Sequence, residues 1–445
     1  MKLHPGLFII PLILCILFPK IISAQEEYAF DLSEIEKKPY HLGGYAEFRP
    51  VVFGLDRGAS LYKLGFYNRN EGNTIEEYNL RLHVDGTYEW EKAGLYIKAN
   101  SDLSKTYQGW SDETKLYEGY VSLKPSLSFI LDLGKCTLKW GKGYAWNPIA
   151  FVDRPKNPDD PELGLEGYIV AKADYIKSFA SGPLNTLAFT PVLIPSENHI
   201  NDDFGKTGHL NLAGKLYLLL YNTDLDFLFF AGGSKGNAYG IDFSRNIKSN
   251  FEVHGEFAYI RDVKNIFIDP DVFSDPNIPI DLNEIGFEKF YNTKSYLFGI
   301  RYLTEMETTY ILEYYHKGAG FSKKDMRDFY SFLDNAYNQY ISSGDDALIK
   351  KASQLNFDRI NPMKDYLYLR VSHKEPFDIL YFTPAVTIIY NLTDTSFSFS
   401  PELLYNPITN LEFRLKAELI YGENYTEYGE KQNDYRIELR VRYHF

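Results

Sequence analysis

The feature that most restricts this chain is a strict two-residue alternation of apolar and polar side chains over unusually long stretches. From Tyr435 to Phe445, Tyr435, Ile437, Leu439, Val441, Tyr443 and Phe445 alternate with Arg436, Glu438, Arg440, Arg442 and His444. Successive side chains of a strand point to opposite faces, so one face is wholly apolar and the other wholly polar. Leu411 to Leu419 repeats the rule with Glu412, Arg414, Lys416 and Glu418 on the polar face. Tyr78 to Asp85 does so with Asn79, Arg81, His83 and Asp85, and Tyr366 to Ser372 with Arg370. A soluble β-sandwich strand shows the same alternation. These stretches, however, run about 10–14 residues, against ~5–6 for soluble strands and ~9–11 for membrane-spanning ones. They also recur along the whole chain, and no second class of element is present to cover so many apolar faces.

Eighteen candidate strands follow, starting near 43, 75, 92, 115, 126, 165, 183, 208, 224, 236, 250, 292, 306, 362, 376, 394, 409 and 432. Sixteen is the alternative if 126–140 and 216–234 are divided otherwise. Connections that leave odd strands include all the long ones, among them 53–74, 103–114, 134–164, 263–291 and 319–361. Connections that leave even strands are short turns such as Lys124-Pro125, Asn222-Thr223 and Asn406-Pro407-Ile408. That sorting predicts an all-β fold: a transmembrane, antiparallel, up-and-down β-barrel over 42–445, with long extracellular loops, short periplasmic turns and both ends in the periplasm. The stretch 216–234 is the most apolar part after the leader. Asn222, Asp224 and Asp226 interrupt it too often for a spanning helix.

Composition agrees. The chain has 445 residues with 37 Tyr and 32 Phe, and Tyr, with an apolar ring and a wet hydroxyl, suits a lipid–water boundary. A mean hydropathy of −0.31 is what a barrel shows when only alternate residues face lipid. A net charge of −13 argues against nucleic acid as a partner. Lys2, the apolar run Leu7 to Phe18, and Ile22-Ser23-Ala24 read as a secretory signal, 1–24, cleaved before Gln25. A membrane anchor is the other reading, opposed by the short run and by Pro11 and Pro19; a lipoprotein signal at Cys15 fits worse. Residues 25–41 then form a periplasmic segment. Cys136 is left without a partner for an internal disulfide.

The ending Arg440-Val441-Arg442-Tyr443-His444-Phe445 resembles the closing strand of Gram-negative outer-membrane barrels. That resemblance implies a location in the bacterial outer membrane, among its lipids and lipopolysaccharide. It also implies recognition of Phe445 by the barrel-assembly machinery. Residues 42–445 are similar in architecture to porin-like barrels, including alginate-export-like and other substrate-selective 18-stranded channels. Leu138-Lys139-Trp140-Gly141-Lys142-Gly143-Tyr144, followed by Asn147-Pro148, looks like the "WG" segment of several such families. No one family matches residue by residue, so no solute carries over.

Three constellations are candidates for function. Arg49, Arg81, Arg370, Arg414, Lys416, Arg436, Arg440 and Arg442 fall on the inward face, most of them on the wall where strands 17, 18 and 1 meet. They read either as a basic lumen wall for anionic or hydroxyl-rich solutes or as salt-bridge packing against Glu412, Glu418 and Glu438. The segment 134–164, stiffened by prolines, reads as a constriction loop carrying Trp140, Lys142, Tyr144, Asp153, Arg154 and Lys156, or as a plain surface loop. Asp153, Asp159, Asp160 and Glu162 offer oxygen ligands for Ca²⁺, but without EF-hand spacing, and no metal is assigned. In the loop 319–361, Phe329, Phe332, Leu333, Ala336, Tyr337 and Tyr340 have helical spacing. No nucleophile elbow, zinc motif or phosphate loop occurs, so neither catalytic residues nor a cofactor is expected. The expected function is a channel through which small polar or anionic solutes, saccharides among them, diffuse. The alternative is a plugged barrel that binds a surface polysaccharide or a secretion partner.

Overall fold

The computed structural model describes residues 38–269, 285–355, 357 and 359–445; the signal expected over 1–24 and nearly all of the 25–41 segment lie outside them. Eighteen strands form one antiparallel sheet. They are β1 Tyr40–Leu55, β2 Thr74–Trp90, β3 Ala93–Thr106, β4 Gly109–Ser126, β5 Phe129–Cys136, β6 Tyr168–Ser178, β7 Leu184–Ser196, β8 His209–Leu220 and β9 Thr223–Ala231. The second half comprises β10 Ala238–Lys248, β11 Phe251–Ile268, β12 Gly286–Leu303, β13 Thr308–His316, β14 Asp365–His373, β15 Phe382–Asn391, β16 Ser396–Ile408, β17 Leu411–Tyr421 and β18 Asn433–His444. Each strand pairs with its neighbours in sequence, and β1 pairs with both β2 and β18. The sheet therefore joins its own ends and leaves no free edge.

The barrel is inside-out relative to a soluble protein. On β18, Ile437 and Leu439 are 44% and 38% exposed, whereas Glu438 and Arg440 between them are 2% and 5% exposed. Phe48, Leu80, Leu193, Phe227, Phe257, Leu403 and Leu415 continue the outward apolar surface around the ring. An apolar belt of that extent, on a sheet that satisfies its own backbone, fits hydrocarbon and not water. Among the described residues no helix is long and apolar enough to cross a membrane.

Long described connections lie on one rim: 56–73, 137–167, 197–208, 317–364 and 422–432. The expected loop at 103–114 is instead a two-residue turn, because β3 and β4 stay paired out to Thr106↔Gly109. The end of that hairpin is exposed, and its start on β4 is polar on both faces, so alternation fades while hydrogen bonding continues. On the opposite rim, 374–381 is longer than a tight turn. Left-handed backbone at Glu375, Phe377 and Asp378 delays β15 from the expected start near 376 to Phe382.

The interior is packed against the long-loop rim. Trp140, Ile149, Phe151 and Val152 of the 137–167 connection cover inward apolar residues of β6–β11, including Val192, Ile194, Leu228 and Phe230. Ala145 and Trp146 join Phe329, Phe332 and Leu333 of the helix Lys323–Ser343, together with Tyr366 and Tyr368 of β14. That helix starts at a capping box formed by Ser322 and Asp325 and ends at Gly344 in left-handed conformation.

Candidate functional site

The connection 137–167 leaves the wall after Cys136 and folds into the lumen. Its first turn is held by Asp153, whose carboxylate accepts the backbone N–H of Leu138 (2.9 Å), Lys139 (3.1 Å) and Trp140 (2.9 Å). The segment then docks on the far wall through backbone donors and strand carboxylates. Glu256 of β11 accepts from Lys142 and Gly143 N–H, both at 2.6 Å, and from the Asn147 side chain at 3.0 Å. Glu313 of β13 accepts from the N–H of Tyr144 and, at 2.9 Å, of Ala145. Lys142 reaches Asp226 of β9 at 3.1 Å and Asp242 of β10 at 4.0 Å. Charge-assisted bonds of this kind are about twice as strong as neutral ones. Close approach also needs a gap in the wall: a Cβ on Gly240 would lie 2.8 Å from Ile149.

The end of the segment crosses to β16–β18. Asp160 pairs with Arg414 at 3.2 Å and with Arg440 at 2.9 Å, and Lys416 donates to the Asp159 carbonyl. Burial alone would raise the Asp160 pKa, but Arg414 and then Arg440 outweigh it and hold it at about 2. Tyr144 donates its hydroxyl to Glu162 at 3.0 Å.

The inward arginines form a lattice of ion pairs and not an uncompensated basic wall. Arg81 pairs with Asp102 (2.6 Å), Arg370 with Glu402 (3.0 Å), and Arg414 with Glu402 (2.5 Å). Arg436 pairs with Glu438 (3.2 Å) and Glu418 (3.6 Å), Arg440 with Glu438 (3.0 Å), and Arg442 with Glu47 (2.7 Å). Arg49 stands 4.0 Å from Glu438. Such pairs fix side chains in register and leave little net charge on the wall.

Two cavities flank the lumen segment, and residues 161–165 together with Thr137 and Lys139 line both. One, of ≈390 Å³, faces the short-turn rim and brings together Arg81, Arg370, Arg414, Arg440, Arg442 and Tyr144 with Lys98, Glu118, Asp160 and Glu402. Arg49 and Lys416 do not line it, and Arg436 lines a smaller neighbour beside Glu418 and Glu427. The other, of ≈650 Å³, opens toward the long-loop rim and is bounded by Trp140, Asp153, Arg154 and Lys156 with Trp146, Tyr315, Lys317 and Arg359. Arg154 is itself paired with Asp203 and Glu166.

The four acids considered as Ca²⁺ ligands do not converge: Asp153 holds backbone N–H groups, Asp160 holds arginines and Glu162 holds Tyr144. Among the described residues, no group of three or more His, Cys, Asp or Glu side chains is arranged to hold a metal. Sequence reasoning missed Glu256, Asp226 and Asp242 as docking points. Their inward parity was readable, but not what would lie across them. Lys317 and Arg359 were missed because they lie near the two ends of the connection between β13 and β14, where the two-residue alternation carries no information.

No protein-family model matches the chain, and no curated protein matches it. Solved structures do. OccK2 (OpdF) of Pseudomonas aeruginosa, determined in complex with glucuronate, superimposes with a TM-score of 0.52 at 10% identity, covering 91% of this chain and 98% of that one. OccK5 (OpdH) of the same organism gives 0.49 at 13% identity, over 91% and 98%. OprD, also from P. aeruginosa, gives 0.44 at 11% identity, over 91% and 95%. At such identities the likeness to OccK2 concerns the fold. With the closed ring and its outward apolar belt, it makes this chain a porin-like barrel of the bacterial outer membrane.

Proposed function

We propose that the protein is a non-enzymatic outer-membrane channel that lets small polar or anionic solutes diffuse through a lumen narrowed by residues 137–167. The observation that carries this reading is the lumen segment itself, anchored on both walls and flanked by charge-lined cavities toward either rim. An eighteen-stranded ring is wide enough for water unless something fills it, and paired charges along a narrow lumen order a solute's polar groups without trapping it. The glucuronate in the OccK2 structure is a solute of the class proposed. Lipopolysaccharide around the long-loop rim and recognition of Phe445 during assembly belong to the same reading. Planar-bilayer recording on purified protein tests it: discrete ion-conducting steps are expected, and a correctly folded barrel that never conducts overturns it.

A second reading has its own support. The apolar cluster beneath the helix Lys323–Ser343 suits a plugged barrel that presents its loops to a surface polysaccharide or a secretion partner. The same recording separates the two.

A further inference from the structure

Three cations around the larger cavity differ from the arginines of the lattice. Lys156 donates to the carbonyls of Gly143 (2.7 Å) and Tyr144 (3.2 Å), and Lys317 to that of Asn361 (2.7 Å). Arg359 donates to the Ala319 carbonyl at 3.3 Å, and its buried Nε has no acceptor among the described residues. Among the described residues no carboxylate lies within 4.0 Å of any of the three. The two acids that line the same cavity are engaged: Asp153 by three N–H groups and Glu162 by the Tyr144 hydroxyl. A carbonyl orients a cation without neutralising it, so positive charge remains at this cavity in a chain of net charge −13.

The rest of the lining is largely apolar. Trp146 stacks on Tyr315 with centroids 5.3 Å apart and planes 25° from parallel, and Leu165 and Ile360 complete that side. A volume of ≈650 Å³ falls in the range typical of small-molecule sites, about 300–1,000 Å³. A small, fully hydrated anion leaves such an apolar surface unused, and a neutral ring leaves the cations unanswered.

We propose that this cavity is a binding site for an anion joined to a flat apolar body, such as an aromatic carboxylate. The carboxylate answers Lys156, Lys317 and Arg359, and the ring lies against the Trp146–Tyr315 pair. This deepens the channel reading and rests on it: the site meets a solute on the long-loop side, before the narrowing at 161–165.

The test is a fluorescence titration of the purified full-length barrel, following Trp146 and its neighbours, with phenylacetate, phenylacetamide and acetate. Phenylacetate is expected to saturate at concentrations at least about tenfold below either comparator. In Lys317→Met/Arg359→Gln its advantage over phenylacetamide disappears, while the far-ultraviolet β-sheet spectrum stays that of the wild-type barrel. If the double variant does not fold, Lys156→Met serves, with a several-fold loss of phenylacetate affinity. Equal responses to phenylacetate and phenylacetamide, or unchanged affinity in these variants, overturn the proposal. A barrel that conducts but ignores phenylacetate sinks this site and leaves the channel; one that binds it but never conducts does the reverse.

Discussion

A single carboxylate oxygen of Glu256, Oε1, accepts the backbone N–H of Lys142 and of Gly143 at 2.6 Å each, across more than a hundred positions of chain. Replacing Glu256 by Ala leaves those donors without a partner. At about 1–3 kcal/mol for each buried group left unpaired, the lumen segment is expected to loosen while the barrel stays closed. Trypsin cutting at Lys142 or Lys156 in the folded variant, with raised conductance, is the readout. Wild-type protection in the variant contradicts the docking role.

Asp160 supplies a pH dependence with a definite sign. A free aspartate titrates near ~3.9, and in the folded barrel Asp160 is held at about 2. Its contribution to docking is therefore complete above the free value and is lost only as pH falls through about 2. Protease protection of the lumen segment is expected to be constant from pH 7 to 4 and to fail near 2. Asp160→Asn weakens it at every pH above 4, by roughly 1–3 kcal/mol.

Gly240 tests close approach. Its missing side chain leaves room for Ile149 and Phe151, whose nearest atoms would lie 2.8 and 3.2 Å from a Cβ. Gly240→Val is expected to force the segment off the β10 wall at a cost of about 1–3 kcal/mol. Tryptophan fluorescence, which senses burial of Trp140 and Trp146, is the measurement. An unshifted spectrum shows that the wall gives way instead.

Lys317 sets the pH response of the larger cavity. Burial first, then Arg359, disfavours its charged form; Glu427 favours it, and the result is a pKa of about 7. The side chain is charged below that pH and neutral above it. Phenylacetate affinity is expected to fall several-fold between pH 6 and 8 in the wild type and to stay flat in Lys317→Met.

Much of the barrel was legible because period two is a local property. The expected strand starts at 183, 224 and 250 fall within one residue of Leu184, Thr223 and Phe251. The starts near 115, 292 and 376 missed by several residues. At the β3–β4 hairpin, pairing continues past the lipid belt, where nothing rewards alternation; at 374–381, left-handed residues hold the chain in a turn. The apolar excess of 216–234 has a comparable cause. Phe227 faces outward while Leu228 and Phe230 are buried beneath the lumen segment, so the end of β9 beyond Asp226 is apolar on both faces. Inward arginines were legible as a set, but Arg414 and Arg440 meet at Asp160, 254 and 280 positions away. Parity states which way a side chain points and is silent on what comes to meet it.

The lumen segment rests on β9–β13 at its start and on β17–β18 at its end, and β18 also seals against β1. A strap tied to opposite walls cannot be drawn tight before those walls stand at their final separation. Asp160 has neither Arg414 nor Arg440 to meet until β17 and β18 are in place, so the end of the segment stays unfastened while the sheet is open. Fastening of the segment is thus coupled to completion of the ring, and until the last strand is seated the strap is held by one wall alone.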